Sequence, residues 1–213
     1  VLAMASYPTY NINSFTDGIS NTEWKQLIND NQKPMFNRAI SGTYSPGSTY
    51  KMLVGLAGLE SGGITVDEIY TDPGIYPHAY NPKCWIYTSH NITHGDINLA
   101  GAIKGSCNCY FYEVGRRIGI DSIVDWAKNF GLGQKTGIEL SGEANGKIAG
   151  NDVKEWSLGD TLSASIGQST NLYTPLQLAN YISTIANGGM LNKVSLIKNV
   201  ENGQEERLKT NHL

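Results

Sequence analysis

The sequence predicts an α/β fold in which a cluster of helices is inserted between the strands of a sheet. The chain opens on an apolar run, Val1 to Ser6, that is typical of a buried strand, and Met190 to Val200 has a similar character. Between them, apolar residues recur mainly at helical spacing. An order of strand, many helices and strand fits an α/β layout. With 213 residues, 40% hydrophobic and 16% charged, the chain suits one globular domain with a hydrophobic core.

The first helices are bounded by recognisable signals. After a loop from Ser6 to Ser20, a short amphipathic helix is predicted from Glu23 to Asn29. The next helix, Ser48 to Leu59, is entered through Ser45-Pro46-Gly47 and left through Gly62-Gly63.

A long loop from Asp72 to Thr93 then interrupts the helical pattern. It is rich in Pro, Tyr and Asn, and loops of this kind often carry function. Near the end, a helix is predicted from Pro175 to Ala186, because proline suits the first helical position and Gly188-Gly189 would stop it. The tail from Glu201 is polar. The remaining predictions are helices at Ile97–Lys104, Cys109–Ile118 and Ile123–Phe130, and a glycine-rich connection at Gly131–Asn151.

Charge and hydropathy give no sign of a nucleic-acid partner or of a membrane span within this chain. The net charge is -3 and lysines and arginines form no cluster, so we expect no nucleic-acid partner. The chain contains no apolar run of about eighteen residues, the length that a membrane span requires. Because the chain opens inside a predicted strand, we expect further segments to precede it in the natural protein.

Ser48-Thr49-Tyr50-Lys51 is the first candidate catalytic motif. A serine hydroxyl is a weak nucleophile until a base takes its proton. Residues i and i+3 share a helix face at about 5–6 Å between Cβ atoms, so Lys51 can reach Ser48. Burial would lower the lysine pKa enough for it to act as the base. The four letters alone also fit a serine that caps a helix.

Ser106-Cys107-Asn108 is the second candidate motif. Its serine can pass a proton to a leaving amine, and its asparagine can hold a substrate amide. The alternative is structural, because Asn108 could simply cap the helix that follows. The two motifs together, in this order, are far more specific than either alone.

The sequence resembles the transpeptidase domain of class B penicillin-binding proteins, the elongation-type peptidoglycan D,D-transpeptidases, more closely than a β-lactamase. S-x-x-K followed by an S-x-N triplet belongs to the signature of these serine enzymes. The likeness extends through Asn37-Arg38-Ala39, Tyr44 to Lys51, His94-Gly95, Ser106-Cys107-Asn108, Gly131 to Leu140, Gly167-Gln168 and Thr174 to Ala179.

The resemblance implies a penicillin-binding-protein/serine β-lactamase-like fold, an antiparallel sheet with an inserted helical subdomain. Residues 1–213 would be part of that domain, incomplete at the C-terminus. The third-motif strand, a non-catalytic domain and an N-terminal membrane anchor would lie outside this chain. The catalytic domain would stand on the extracytoplasmic face of a bacterial cell membrane.

The resemblance also implies roles for individual residues. Ser48 is the expected acylated nucleophile and Lys51 its general base, while Ser106 and Asn108 relay a proton and hold substrate. The backbone N–H of Ser48 would form half of an oxyanion hole. The substrate would be the D-Ala-D-Ala end of a peptidoglycan stem peptide, the acceptor an amine of a neighbouring stem, and β-lactams would acylate the same serine. Expected partners are the cell-wall elongation or division machinery, including a glycosyltransferase.

Lys135-Thr136-Gly137 spells the third motif of this family, yet we interpret it as a structural connection. It follows Asn108 too closely and lies in a loop at a helix end. In class B proteins the corresponding stretch has that structural role.

Three cysteines, an odd number, cannot all pair internally. Cys84, Cys107 and Cys109 with one nearby histidine could build a structural zinc site, since such sites take four thiolate or imidazole ligands. We prefer His94 to His90, because Gly95 beside it allows close backbone approach. Catalysis would require no cofactor. A contact between Cys84 and Cys107 without metal, or unrelated buried thiols, are the alternatives.

Two other functions remain open at this point. A serine β-lactamase, or a β-lactam sensor or binding module, would also need Ser48 and Lys51. The blocks at Gly167-Gln168 and Thr174-Pro175 and the long loop after Asp72 favour a transpeptidase.

Overall fold

The computed structural model describes residues 1–150 and 155–198 and the two residues of a strand at 211–212. Short 3-10 helices cover Ile12–Phe15 and Gly47–Tyr50. The α-helices are α1 (Asn21–Asn29), α2 (Lys51–Glu60), α3 (Trp85–His90), α4 (Leu99–Gly105), α5 (Asn108–Asn129), α6 (Leu158–Ser165) and α7 (Pro175–Ala186). The strands are β1 (Tyr70–Thr71), β2 (Asp96–Ile97), β3 (Met190–Leu191) and β4 (Asn211–His212).

The residues group into two units by their contacts. One unit comprises Val1–Tyr44, Lys135–Asn145 and Tyr173–Leu213, and we call it the first unit. The second unit comprises Ser45–Gln134 and Gly146–Leu172. Within the described residues, each unit contains one small antiparallel pair of strands, β3 with β4 in the first and β1 with β2 in the second.

The second unit is built on α2, α5 and α6. The helix α2 is apolar on most sides, and Leu53, Val54 and Ala57 are fully buried. Two glycines let the helices approach closely: a Cβ on Gly58 would lie 2.8 Å from Val114, and one on Gly115 would lie 2.6 Å from the Ser165 side chain. The close packing fixes α2, which follows Ser48, against α5, which begins at Asn108.

The helix α5 is kinked at Gly119, where φ is 73° and ψ is 169°. This break divides it into the two helices that the sequence predicts, up to Ile118 and from Ile123 onward. A left-handed φ costs glycine little, so the chain changes direction there without strain.

The first unit has its own small core. Ala39, Ile40, Ile138, Leu176 and Val194 form a buried cluster, and Met4 packs against it. The helix α7 has the predicted bounds, with Pro175 at its start and a capping box between Thr174 and Gln177. The helix α1 begins at Asn21, two residues before the predicted start, because Ser20 and Glu23 form its capping box.

Of the two predicted long strands, the first is wrong and the second is confirmed only at its start. Residues 1–6 form no strand, because the segment has no ladder of backbone hydrogen bonds, although the Val1 amino group donates to the Ser195 carbonyl at 2.7 Å. The strand predicted from Met190 to Val200 is only Met190–Leu191 within the described residues. Val200 and most of the tail from Glu201 lie outside those residues.

Two helices were not predicted. The helix α3 lies inside the loop from Asp72 to Thr93, where six residues are too few to display a helical period. The helix α6 has a capping box between Ser157 and Asp160 that the sequence displays, but its apolar positions are few. The predicted helix at Ile97–Lys104 starts at Leu99, because Asn98 caps it. The glycine-rich connection contains no helix or strand from 131 to 150, and Asn151 lies outside the described residues.

None of the helices in the described part of the chain is both long and apolar enough to cross a membrane.

Candidate active site

Ser48 lies in the 3-10 turn Gly47–Tyr50, directly before α2 begins at Lys51. Residues i and i+3 are eclipsed in a 3-10 helix, so the two side chains of the first motif share one face. The residue at the N-cap of α2 is Tyr50, and no side chain caps that helix. The capping alternative for Ser48 is therefore wrong.

A contact between two glycines sets the backbone before Ser48. The N–H of Gly47 donates to the Gly167 carbonyl at 3.0 Å. A Cβ on Gly167 would lie 2.1 Å from the Gly47 oxygen, so no other residue fits at Gly167 while this contact exists. Both glycines have positive φ, 55° and 74°. The Gly167-Gln168 block thus supports the turn that carries Ser48.

Lys51 is buried at the centre of the site, with 2% of its surface exposed. Its Nζ donates to the Ser106 carbonyl at 2.8 Å, to Ser106 Oγ at 3.0 Å and to Asn108 Oδ1 at 2.6 Å. Burial lowers the pKa of Lys51 to about 8, against a smaller opposing effect of the neighbouring cysteines. With that pKa, about one-tenth of the amine is neutral at pH 7 and can accept a proton.

Ser106 connects Lys51 to Ser48. It follows α4 in the left-handed conformation, with φ 53°, and its Oγ donates to Ser48 Oγ at 3.0 Å. A hydroxyl can donate and accept at once, so the same chain of atoms can carry a proton from Ser48 through Ser106 to Lys51. The first and second motifs therefore meet in the structure.

Asn108 is the first residue of α5 and does not cap it. The cap is Cys107, whose Sγ accepts from the Tyr110 N–H at 3.5 Å. The capping alternative for Asn108 is wrong for this reason. Its side-chain oxygen accepts from Lys51, and the nitrogen of the same amide supplies donors of the kind that hold a substrate carbonyl.

A second cluster lies behind this motif. Potential ligand atoms of Asp72, Cys84, His94 and Cys107 all lie within 4.8 Å of one another. The prediction of Cys109 as a ligand is corrected by this geometry, because Asp72 takes its place in the group. Cys109 is buried and close enough to Cys84 for a hydrogen bond that lowers the Cys84 pKa. His90, at the exposed end of α3, is outside the group.

The cluster distances can be compared with a tetrahedral zinc site. Two thiolates on one zinc ion are about 3.8 Å apart, and a thiolate and an imidazole nitrogen about 3.6 Å. Cys84 Sγ lies 3.9 Å from Cys107 Sγ and 3.6 Å from His94 Nδ1. His94 Nδ1 lies 2.8 Å from Asp72 Oδ2, closer than the roughly 3.4 Å between two ligands of one ion, so that pair would have to separate. The four residues fit zinc after that small adjustment.

Hydrogen bonds around the cluster favour negative ligands. Asp72 accepts from the backbone N–H groups of Gly74 at 2.9 Å and His94 at 3.0 Å. Burial alone would raise the pKa of Asp72, yet these hydrogen bonds hold it below its usual value. Hydrogen bonding with the Cys107 and Cys109 thiols lowers the pKa of Cys84, and the Asn108 N–H, which donates to Cys84 Sγ at 3.3 Å, lowers it further.

The other two thiols behave in the opposite way. Hydrogen bonding to Cys84 is the largest cause that raises the pKa of Cys107 and of Cys109, and burial adds to it. His94 Nε2 lies 3.0 Å from the Gly105 carbonyl, the kind of partner that orients a metal-bound imidazole.

The stretch Lys135-Thr136-Gly137 lies in the first unit, and its donors serve a turn. Buried Glu143 accepts from the Thr136 N–H at 2.7 Å, the Thr136 hydroxyl at 2.6 Å and the Gly137 N–H at 3.2 Å. This arrangement agrees with the interpretation of the stretch as a structural connection.

Sequence reasoning missed Asp72, although a signal was present. It opens Asp72-Pro73-Gly74 at the start of the long loop, and a carboxylate before a turn is a common metal ligand in other site types. Only thiolate and imidazole ligands were considered from the sequence, so this carboxylate was not included.

Comparison with known proteins identifies the family of this chain. Residues 1–213 match the penicillin binding protein transpeptidase domain. The chain is 38% identical over 210 residues to the peptidoglycan D,D-transpeptidase MrdA of Haemophilus influenzae, covering 94% of this chain and 32% of that protein. It therefore spans about a third of the length of that relative.

Solved structures agree. The complex between penicillin-binding protein PBP2 and MreC from Helicobacter pylori matches with a TM-score of 0.86 and 34% identity, over 98% of this chain and 38% of that one. The penicillin G acyl-enzyme complex of penicillin-binding protein A from Mycobacterium tuberculosis matches with a TM-score of 0.74 and 28% identity, over 91% of this chain and 45% of that one. The fold is that of penicillin-binding protein transpeptidase domains, as the sequence predicts. This chain belongs to the penicillin-binding protein transpeptidase family.

Proposed function

We propose that this chain carries the serine nucleophile of an elongation-type peptidoglycan D,D-transpeptidase. The observation that carries the proposal is the chain of contacts from Ser48 through Ser106 to Lys51, each 3.0 Å long, ending at an amine whose pKa is about 8. The named relative, a D,D-transpeptidase, supports the reaction class.

The reaction follows from these atoms. Ser48 Oγ attacks the carbonyl between the two D-Ala residues of a stem peptide, and its proton passes to Lys51, directly or through Ser106. The backbone N–H of Ser48 donates to the developing oxyanion. Collapse breaks the peptide bond, and the proton returns through Ser106 to the leaving D-Ala nitrogen. An amine of a neighbouring stem then attacks the ester, and its proton takes the same route so that Ser48 is restored.

The nucleophile is tested with a fluorescent penicillin. We expect a covalent adduct that mass spectrometry locates on the peptide containing Ser48, in the whole protein as the cell makes it. An adduct on any other residue would contradict the proposal. The lifetime of the adduct separates the alternatives, because a β-lactamase releases it within seconds while a transpeptidase or a sensor keeps it. Cross-linking of purified stem peptides then distinguishes a transpeptidase from a sensor.

We also propose that Asp72, Cys84, His94 and Cys107 hold a structural zinc ion. The close fit of the sulfur–sulfur and sulfur–nitrogen distances supports it. All four positions would be protein ligands, which leaves no open site for a water and excludes a catalytic role. The bound ion would tie the loop after β1 to the helix that carries Asn108.

Elemental analysis of protein purified without added metal tests the zinc site. We expect about one zinc per chain, and its loss in Cys84→Ser. Cys109→Ser is the matched control, because this thiol is equally buried but outside the cluster, and it should retain the metal. Metal-free wild-type protein, or equal loss in both variants, would contradict the assignment.

The proposed setting is the cell-wall synthesis machinery at a bacterial cell membrane, with this domain on the extracytoplasmic face. The likeness to PBP2 of Helicobacter pylori, which was solved in complex with MreC, supports an elongation role over a division role. Peptidoglycan stem peptides and β-lactams would be its small ligands, and a glycosyltransferase a further partner. Depletion of the protein should round rod-shaped cells. Filaments of undivided cells would indicate the division role instead.

A further inference from the structure

The carbonyl of Gly105 receives two ring N–H donors. The indole Nε1 of Trp85 donates to it at 3.1 Å. His94 Nε2 lies 3.0 Å from the same oxygen and donates to it in the tautomer that carries the proton there. A carbonyl oxygen has two acceptor sites, so these two donors occupy both.

This carbonyl belongs to the peptide group that enters Ser106. A peptide group is planar, so two bonds at its oxygen fix the plane from which the Ser106 backbone starts. Ser106 has a left-handed φ of 53°, which residues other than glycine adopt only when their surroundings hold them. The direction of its hydroxyl and its carbonyl depends on that conformation, and both accept from Lys51 Nζ, at 3.0 and 2.8 Å.

Trp85 is placed to make this bond by its neighbours. It is the first residue of α3, and its ring meets the rings of His94 and His90 edge to face at 6.1 and 6.3 Å between centroids. The absence of a side chain at Gly105 lets the His94 ring lie close to it, because a Cβ on Gly105 would lie 2.8 Å from His94 Cδ2. Trp85 is 43% exposed, yet its indole N–H is directed at the Gly105 carbonyl.

We propose that Trp85 is a positioning residue for Ser106: its indole N–H, together with the ring of His94, holds the Gly105 carbonyl and so orients the serine that links Ser48 to Lys51. The inference rests on the proposed acyl-transfer function and adds a residue to it. Trp85 is not itself one of the four residues of the metal cluster, although His94, which shares the Gly105 carbonyl with it, is one of them.

The test separates binding from acylation in the whole protein as the cell makes it. A fluorescent penicillin is mixed with wild type and with Trp85→Phe, and the initial dissociation constant and the acylation rate constant are fitted separately. Phenylalanine keeps an aromatic ring and removes the N–H. We expect the acylation rate constant to fall roughly five- to tenfold, the factor that corresponds to the loss of one hydrogen bond. The dissociation constant should stay within about twofold, because the proposed role makes no contact with the ligand.

Trp156→Phe is the matched control. Its indole N–H donates to Thr161 Oγ1 at 2.8 Å, away from Ser106, so both constants should stay within about twofold of wild type. If Trp85→Phe does not fold, benzothienylalanine at Trp85, which keeps the bicyclic shape and replaces the N–H with sulfur, takes its place. Acylation at the wild-type rate, or a change confined to the dissociation constant, would overturn the role of Trp85 alone. Wild-type protein that is never labelled would overturn the proposed function as well.

Discussion

At the scale of the residue, the protonation state of Lys51 determines whether it can accept the proton of Ser48. The ammonium form is the one that three oxygen atoms of Ser106 and Asn108 stabilise, whereas burial favours the neutral form. Burial is the larger effect, since the pKa falls from 10.5 to about 8. The side chain is thus held in reach of the serine relay and remains able to accept a proton near neutral pH.

Two substitutions test this pair. Ser48→Ala should abolish labelling by a fluorescent penicillin, because no other nucleophile among the described residues is placed to attack the β-lactam amide bond.

Lys51→Ala should slow labelling by roughly a thousandfold, the size expected for loss of a general base. Thermal unfolding of both variants serves as the control: both should still unfold cooperatively, with a modest loss of stability in Lys51→Ala because three oxygen atoms lose their donor. Labelling of Lys51→Ala within tenfold of wild type would contradict the assignment of the base.

The pH dependence of acylation follows from the same pKa. Only neutral Lys51 accepts the proton, so the rate should rise about tenfold per pH unit below pH 7 and level off above a pKa of about 8. Because burial lowers the pKa of Lys51, the acylation rate should reach its plateau at a lower pH than it would with the ordinary lysine pKa of 10.5. Acylation rates from pH 5.5 to 9.5, corrected for spontaneous β-lactam hydrolysis, give the profile. A flat profile from pH 6 to 9 would exclude Lys51 as the titrating base.

The four residues proposed to be catalytic could be found from the sequence because the spacing within each motif is local. Ser48 and Lys51 lie within one helical turn, and Ser106 and Asn108 flank a helix start. Asp72 could not be found in this way, since it lies 22 residues from His94. The pairing of β1 with β2 brings them together: the Asp72 N–H donates to the Gly95 carbonyl at 3.0 Å directly beyond the paired strands.

At the scale of the element, capping and turn residues decided which predictions held. The bounds of helix α7 were predicted correctly because Pro175 marks its start and Gly188-Gly189 follow its end. Of the strands predicted at the two ends, the first is absent and the second is shorter within the described residues, since a strand needs a partner and apolar letters do not reveal one. The 3-10 turn before α2 could not be predicted from the sequence either, although it places Ser48 and Lys51 on one face.

The turn that carries Ser48 can be tested through Gly167. We expect Gly167→Ala to lower acylation by roughly a hundredfold, because its Cβ would lie 2.1 Å from the Gly47 oxygen and displace the turn. Gly119→Ala is the control: φ there is 73°, nearly the same as 74° at Gly167, and a Cβ meets nothing within 4 Å. That variant should lose stability but acylate within about threefold of wild type. Equal acylation by the two variants would show that backbone strain, and not the contact with Gly47, is responsible.

At the scale of the whole molecule, the described chemistry belongs to one of the two units. Ser48, Lys51, Ser106 and Asn108 all lie in the second unit, as do the four residues of the metal cluster. The cluster draws its members from the residue after β1, the residue before α3, the loop before β2 and the residue before α5. A metal ion there would join four segments of one unit that backbone hydrogen bonds connect only in part.

Metal removal should therefore lower both stability and acylation. A ligand at a hundred times its dissociation constant stabilises the native state by about 2.7 kcal/mol, which corresponds to a fall in melting temperature of about 5–10 °C when it is removed. Acylation should slow as well, since the ion would hold Cys107 between Ser106 and Asn108. The measurement is thermal unfolding and penicillin labelling before and after treatment with a chelator, followed by re-addition of zinc. Cys84→Ser, which should lack the ion from the start, is the control and should not respond to the chelator. If the chelator lowers the melting temperature of wild type and of Cys84→Ser equally, the stabilising ion does not bind at this cluster.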